Sequence, residues 1–236
     1  MATRKKAAPA SQALIDYGQV LDTGLCVPAI RAAVDQWLAS GDYPGVTATT
    51  RTLLHYWFQT DHRLHDRRLF SYHSSQRRAI ETLVYLYEVA HISSQRQMYE
   101  SYVQAGRNPR MGGKDAFPRF AVKMATGSGK TKVMSLAIAW QYFNAVLEST
   151  DPYASTFLVI APNVIVFERL QRDFRNGAIF RADPVIPPSL EVHWDMEWYV
   201  RGAGERAHSV GALYLTNVQQ LHERDVKDET PDPMAA

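Results

Sequence analysis

The chain has 236 residues, 46% of them hydrophobic, and a formal net charge of +2 at pH 7. That gives room for one large domain, or one and a half, with a sizeable core, while no apolar run approaches the roughly twenty residues a membrane span requires. Cys26 is the single cysteine, which excludes an intrachain disulfide and a cysteine zinc site and suits a reducing cytoplasm. The charge is too small to identify a nucleic-acid partner, so position must decide.

Residues 1–26 open on MATRKKAAPASQ, basic but with no hydrophobic stretch behind, so they are not a secretory signal; they read as a disordered or extended tail, with nucleic-acid contact the alternative. Residues 27–90 predict a small helical region. Pro28 suits a first helical turn, Ile30, Val34, Trp37 and Leu38 share a face, and Gly41 ends the segment. A second helix, capped by Thr47 or Thr49, carries Leu53, Leu54, Trp57 and Phe58, aromatics that read as core rather than a cofactor box. Asp61 to Arg68 is a dense mixed-charge run. His62 and His65 stand three apart with no cysteine and arginines beside them, so the run reads as a solvated connector, not a metal site.

A third helix begins at Ser74 or Ser75 and places Ile80, Leu83, Val84 and Tyr87 on one face. Gln76 sits in its first turn. Its amide is both donor and acceptor and can read an adenine edge, with Phe70 or Tyr72 as an apolar wall; the plainer alternative is a solvent-exposed side chain. Residues 91–118 are polar and broken by Gly106, Pro109, Gly112 and Gly113, which predicts helix fraying into a surface loop or insertion. Arg96, Arg107, Arg110 and Lys114 lie in it as solvated charges or phosphate contacts.

From Arg119 to Leu147 an apolar strand is predicted to lead through a glycine-rich turn into a helix. Phe120, Ala121 and Val122 form the buried approach; Ala125, Thr126, Gly127, Ser128, Gly129, Lys130 and Thr131 form the turn. Gly127 and Gly129 let successive N–H groups face inward, and the helix aims its positive end at the same point. Lys130 can then reach the β- and γ-phosphates of a nucleotide and Thr131 can ligate the accompanying magnesium. This is a P-loop in which Met124 stands where Gly or Ala usually opens the motif. An ordinary strand-to-helix loop of small residues is the alternative.

After a turn at Asp151 and Pro152, Thr156 to Ala161 reads as a buried parallel strand, and Asn163 can cap a helix bearing Ile165, Val166, Phe167, Leu170 and Phe174. Residues 175–188 break regularity, Leu190 to His193 reads as a short strand, and Val210 to Leu215 as another buried strand before a helix from Val218 to His222. The alternation predicts a doubly wound α/β sheet with its ligand edge at the carboxyl ends of the strands, where the P-loop and Pro162-Asn163 would meet. Residues 119–223 form this unit, its sheet incomplete, and 224–236 form a charged tail.

The ordered set of Gln76, MATGSGKT, LVIAPNVIVFERL and LTNVQQLH resembles the first motor domain of superfamily 2 DEAD/DEAH-type helicases, and most of all the Res subunit of type III restriction enzymes, where a Met also leads the loop. The resemblance spans roughly residues 27–223 but rests on these short blocks. It implies a RecA-like P-loop NTPase that binds ATP and magnesium. Gln76, Thr126, Gly127, Ser128, Gly129, Lys130 and Thr131 would hold the nucleotide, with Lys130 as the catalytic residue and Thr131 on the metal. Pro162, Asn163, Thr216 and Asn217 would touch the DNA backbone without reading sequence. It also implies a methyltransferase or nuclease partner.

The family's Asp-Glu pair, the second motor domain and any nuclease motif are missing; Asp195-Met-Glu197 has the wrong spacing and precedes the LTN block. Because these parts neutralise transition-state charge together, the chain is expected to be the amino-terminal part of a longer enzyme, with weak nucleotide binding and little turnover alone. Two alternatives come from other classes. One is a nucleic-acid or protein-binding module that kept the fold and lost catalysis. The other, a P-loop kinase or GTPase, is disfavoured by the lack of an Asn-Lys-x-Asp motif.

Overall fold

The computed structural model describes residues 26–64, 66–103, 118–148, 153–200 and 207–222. The expectations for residues 1–25, His65, Gly106 to Lys114, Asp151-Pro152 and the tail after His222 fall outside these. Helix α1, Cys26–Ala39, buries Cys26, Ile30, Val34 and Trp37 at helical spacing and stops just before Gly41, whose φ of +76° no continuing helix allows. Helix α2, Ala48–Gln59, is capped by Thr47, whose hydroxyl accepts the Thr50 N–H at 3.0 Å, and it buries Leu53, Leu54 and Trp57.

The mixed-charge run is not simply a solvated connector. Strands β1, His62–Arg63, and β2, Leu69–Phe70, pair antiparallel, and His62 is only 8% exposed, its ring nitrogen 2.6 Å from the Tyr56 carbonyl. Tyr56 lies in the last turn of α2, where carbonyls lack helical partners, so it offers an acceptor together with a ring face. Helix α3, Ser74–Val84, starts from a cap position at His73 rather than a serine, and it continues as a π-helical turn over Tyr85–Val89. Within the expected loop, Gln95–Tyr102 forms a further helix, α4, capped by Ser94. None of its residues is fully buried, though Met98, Tyr99 and Tyr102 lie half-buried against the core, an apolar stripe too short to single out a helix in a polar stretch.

The expected strand before the P-loop is not formed: no pairing involves residues 119–124 among the described residues, and Ala121 and Val122 are exposed, the latter by 43%. The three sheet strands pair only with one another and place no ladder beside this segment, and a strand exists only with a hydrogen-bonded neighbour. Helix α5, Lys130–Leu147, follows the loop. Val133, Leu136, Ile138, Ala139, Trp140, Tyr142 and Phe143 make it apolar nearly all round, and it is buried accordingly between the amino-terminal helices and the elements below the sheet.

Strands β3, Thr156–Ala161, β4, Met196–Val200, and β5, Gly211–Asn217, form a parallel sheet in the order β3-β5-β4, with Ala161 opposite Asn217 and Val200 opposite Leu215. This is the parallel sheet and P-loop helix of a partial RecA-like fold. Helix α6, Val164–Phe174, and the short α7, Ala178–Ala182, are joined by the tight turn Arg175–Gly177. Gly177 sits at φ +70°, and the Trp198 ring lies 2.9 Å from where its Cβ would be. The strand expected at Leu190–His193 is instead a 3-10 turn, Pro188–His193, and the true strand follows it. Pro188 fixes the first residue of that turn, and the Tyr142 hydroxyl closes it by donating to the His193 carbonyl and accepting the Asp195 N–H. Helix α8, Val218–His222, completes the described chain. One apolar cluster runs from Ile30 and Trp57 through Phe143 and Phe180 to Leu213 and Leu215, so the helical region and the sheet share a core. No helix among the described residues is long and apolar enough to cross a membrane.

Candidate nucleotide and nucleic-acid site

The loop Ala125 to Lys130 turns through two left-handed glycines, Gly127 at φ +81° and Gly129 at φ +82°, immediately before α5. Three donors converge on the Ala125 carbonyl: the Ser128 hydroxyl at 2.7 Å, the Lys130 ammonium at 2.9 Å and, more weakly, the Ser128 N–H at 3.4 Å. The loop is thus a closed ring with the lysine charge folded onto it. Thr126 and Gly127 are exposed and Thr131 is half-buried in the first turn of α5. An 18-residue helix starting here presents free N–H groups and the positive end of its dipole.

Gln76 is not the exposed side chain of the plainer reading. It is 2% exposed. Its Oε1 accepts the His73 N–H at 3.0 Å, and its Nε2 donates to the Ser128 carbonyl at 2.9 Å. A side chain on Gly129 would collide with this amide, so Gly129 is required both by its backbone angle and by its neighbour. Helix α3 therefore touches the loop directly.

A second tie was not anticipated. Lys132, two residues past the P-loop lysine, places its ammonium 2.5 Å from Asp183 and 4.8 Å from the centre of the Phe70 ring. Asp183 follows α7, and next to it the Pro184 and Val185 carbonyls accept from Tyr72 and Trp57. Burial, and then the Asp183 charge, push the Tyr72 phenol well above its ordinary value. The only sequence signal was the second lysine in GKTK; Asp183 sits in an irregular run with nothing to single it out.

The four residues expected on the nucleic-acid side share the carboxyl edge of the sheet. Pro162 and Asn163 are exposed; the Asn163 side chain caps α6 by accepting the Val166 N–H at 2.9 Å. Thr216 and Asn217 are buried: Asn217 accepts the Gln220 N–H at 2.8 Å and Thr216 donates to the Gln220 side chain. Ala161 pairs with Asn217, which brings the two loops together. Among the described residues no hydrogen bond joins this edge to the P-loop. Asp195 and Glu197 bind the segment leading into β5: Asp195 accepts the Val210 N–H, and Glu197 accepts from Tyr199 and His208, bonds that hold its carboxyl below the usual range.

The family described as type III restriction enzyme, res subunit, matches residues 69–233. No curated protein and no solved structure matches the chain.

Proposed function

The chain belongs to the type III restriction enzyme res subunit family, a family of helicase-like ATP-dependent motors, and from that premise we propose that it binds magnesium ATP at residues 126–131 and the DNA backbone at Pro162, Asn163, Thr216 and Asn217. The observation that carries the reading is the loop itself: two left-handed glycines and a lysine set against the start of a long buried helix. Loop N–H groups and the Lys130 ammonium would hold the phosphates and the Thr131 hydroxyl the metal. Magnesium ATP, when bound, supplies the anhydride whose cleavage drives a motor. The protein's part is to release Lys130 from the Ala125 carbonyl and to keep the loop on α5.

Gln76 keeps a second N–H and a second lone pair beyond its two bonds, the pair that an adenine edge matches, and Phe70 and Tyr72 stand nearby. Since the residue is buried, reaching the base takes an opening of the loop. The sequence contains no Asp-Glu-Ala-His block, so binding is assigned to these residues and hydrolysis is not. Titration calorimetry with magnesium ATP and with magnesium GTP tests the reading. Saturable binding that prefers ATP and is lost in Lys130→Ala supports it; no binding by the unmodified chain refutes it. DNA binding unaffected by nucleotide would favour a binding module that kept only the fold.

A further inference from the structure

Glu88 is a buried carboxylate, 6% exposed, whose partners among the described residues are all neutral. Its Oε1 accepts the Trp140 indole N–H and the Thr50 hydroxyl, each at 2.6 Å, and its Oε2 accepts the Thr47 N–H at 3.0 Å. Asn144 joins the same cluster, accepting from the Thr47 hydroxyl at 2.6 Å and donating to Thr50 at 2.8 Å. Glu148, at the end of α5, accepts the Thr49 N–H at 2.8 Å. The amino end of α2 thus rests on two carboxylates, one from the π turn after α3 and one from α5, where its dipole favours negative charge.

The place of Glu88 on its helix gives the cluster its meaning. Gln76 bonds to Ser128 in the loop just before α5, and Glu88 bonds to Trp140 within α5, twelve residues on in each segment. The two helices therefore run side by side in the same direction, pinned at two levels. Twelve residues of plain α-helix would leave Glu88 rotated about 120° from Gln76; one π turn adds a residue to the circuit and takes back about 100°. The turn Tyr85–Val89 is what brings Glu88 round to α5.

We propose that Glu88 is a positioning residue for the phosphate-binding loop: through Trp140 and the start of α2 it fixes how far along α3 the helix α5 sits, and so where α5 presents Lys130 and Thr131. The effect on nucleotide affinity rests on the ATP-binding reading; the helix register does not.

Hydrogen exchange on the unliganded chain tests the register. In Glu88→Gln the Trp140 indole proton and the amides of residues 132–136 exchange at least about tenfold faster, as donors lose their carboxylate, while Leu213 and Leu215 in β5 keep their rates. Glu81→Gln is the control, since Glu81 is equally buried on α3 but faces Tyr43 and Arg77; it leaves the α5 amides unchanged. Magnesium ADP affinity falls about fivefold in Glu88→Gln and not in Glu81→Gln. Equal exchange in Glu88→Gln and the unmodified chain, or equal acceleration in both variants, overturns the proposal. If Glu88→Gln does not fold, Trp140→Phe removes the N–H donor together with part of a buried ring and must still speed exchange at residues 132–136; unchanged protection there overturns it too. If the unmodified chain binds no ADP, the nucleotide reading fails while the exchange rates still decide the register.

Discussion

Gln76 Nε2 lies 2.9 Å from the Ser128 carbonyl, a bond across 52 positions of sequence that fastens the first turn of α3 to the P-loop. The same amide caps its own helix and fills the space a Gly129 side chain would need. Gln76→Ala strands a half-buried carbonyl and a cap N–H and should cost about 1–3 kcal/mol. Gly129→Ala costs about 1–2 kcal/mol for the left-handed backbone alone, more with the collision. Because part of the second cost is that collision, the double variant should lose less than the sum of the two. Urea midpoints of the three variants check this.

Lys130 is exposed and its bond to Ala125 is local. Lys130→Ala should therefore leave stability within about 0.5 kcal/mol and lower magnesium ATP affinity by at least about tenfold, the worth of one charge-assisted contact. Calorimetric titration alongside a thermal melt separates the two effects.

The Lys132–Asp183 pair joins α5 to the segment after α7, and the Asp183 side chain is only 12% exposed. Asp183→Asn leaves the ammonium without its counter-charge over the Phe70 ring and should cost about 1–3 kcal/mol, below the fully buried range because Lys132 still meets water. Removing both charges should cost less than the two single changes added together. Thermal denaturation of the single and double variants tests the coupling.

Burial raises the phenol pKa of Tyr72 and Tyr153, with Asp183 adding to the first and Glu88 to the second. The unfolded chain ionises tyrosine near the ordinary value of 10, whereas the folded chain holds these two protonated to higher pH. Stability from this source is complete below that value and falls as pH rises above it. Denaturation midpoints taken at about pH 9 and about pH 11 should drop, and the drop should shrink in Tyr72→Phe and Tyr153→Phe. A flat profile would show that neither phenol ionises on unfolding.

What the sequence revealed follows the range of the forces involved. The P-loop, α5, β3 and β5 were legible because glycine spacing and apolar period are local properties. The buried Gln76 and the Lys132–Asp183 pair were not, since each depends on a partner far along the chain. The segment 119–124 has strand composition yet no ladder beside it, and composition cannot supply a neighbour. Strand β4 carries the alternation of a half-buried strand, Met196, Trp198 and Val200 against Glu197 and Tyr199, but the prolines before it drew the boundary too early. Helix α4 shows the converse, a segment set by its Ser94 cap, with only the half-buried Met98, Tyr99 and Tyr102 turned to the core. The Glu88 cluster needed the π turn, an irregularity that no periodic reading contains.

Cys26 is the chain's single thiol, and it lies buried in the first turn of α1, with burial raising its pKa. A maleimide or a disulfide reagent should therefore find nothing to attack in the native protein and one group per molecule once α1 detaches. The rate of modification becomes a clock for that detachment, readable by mass at a single site without introducing any probe, and able to tell loosening of the amino-terminal helices from melting of the sheet.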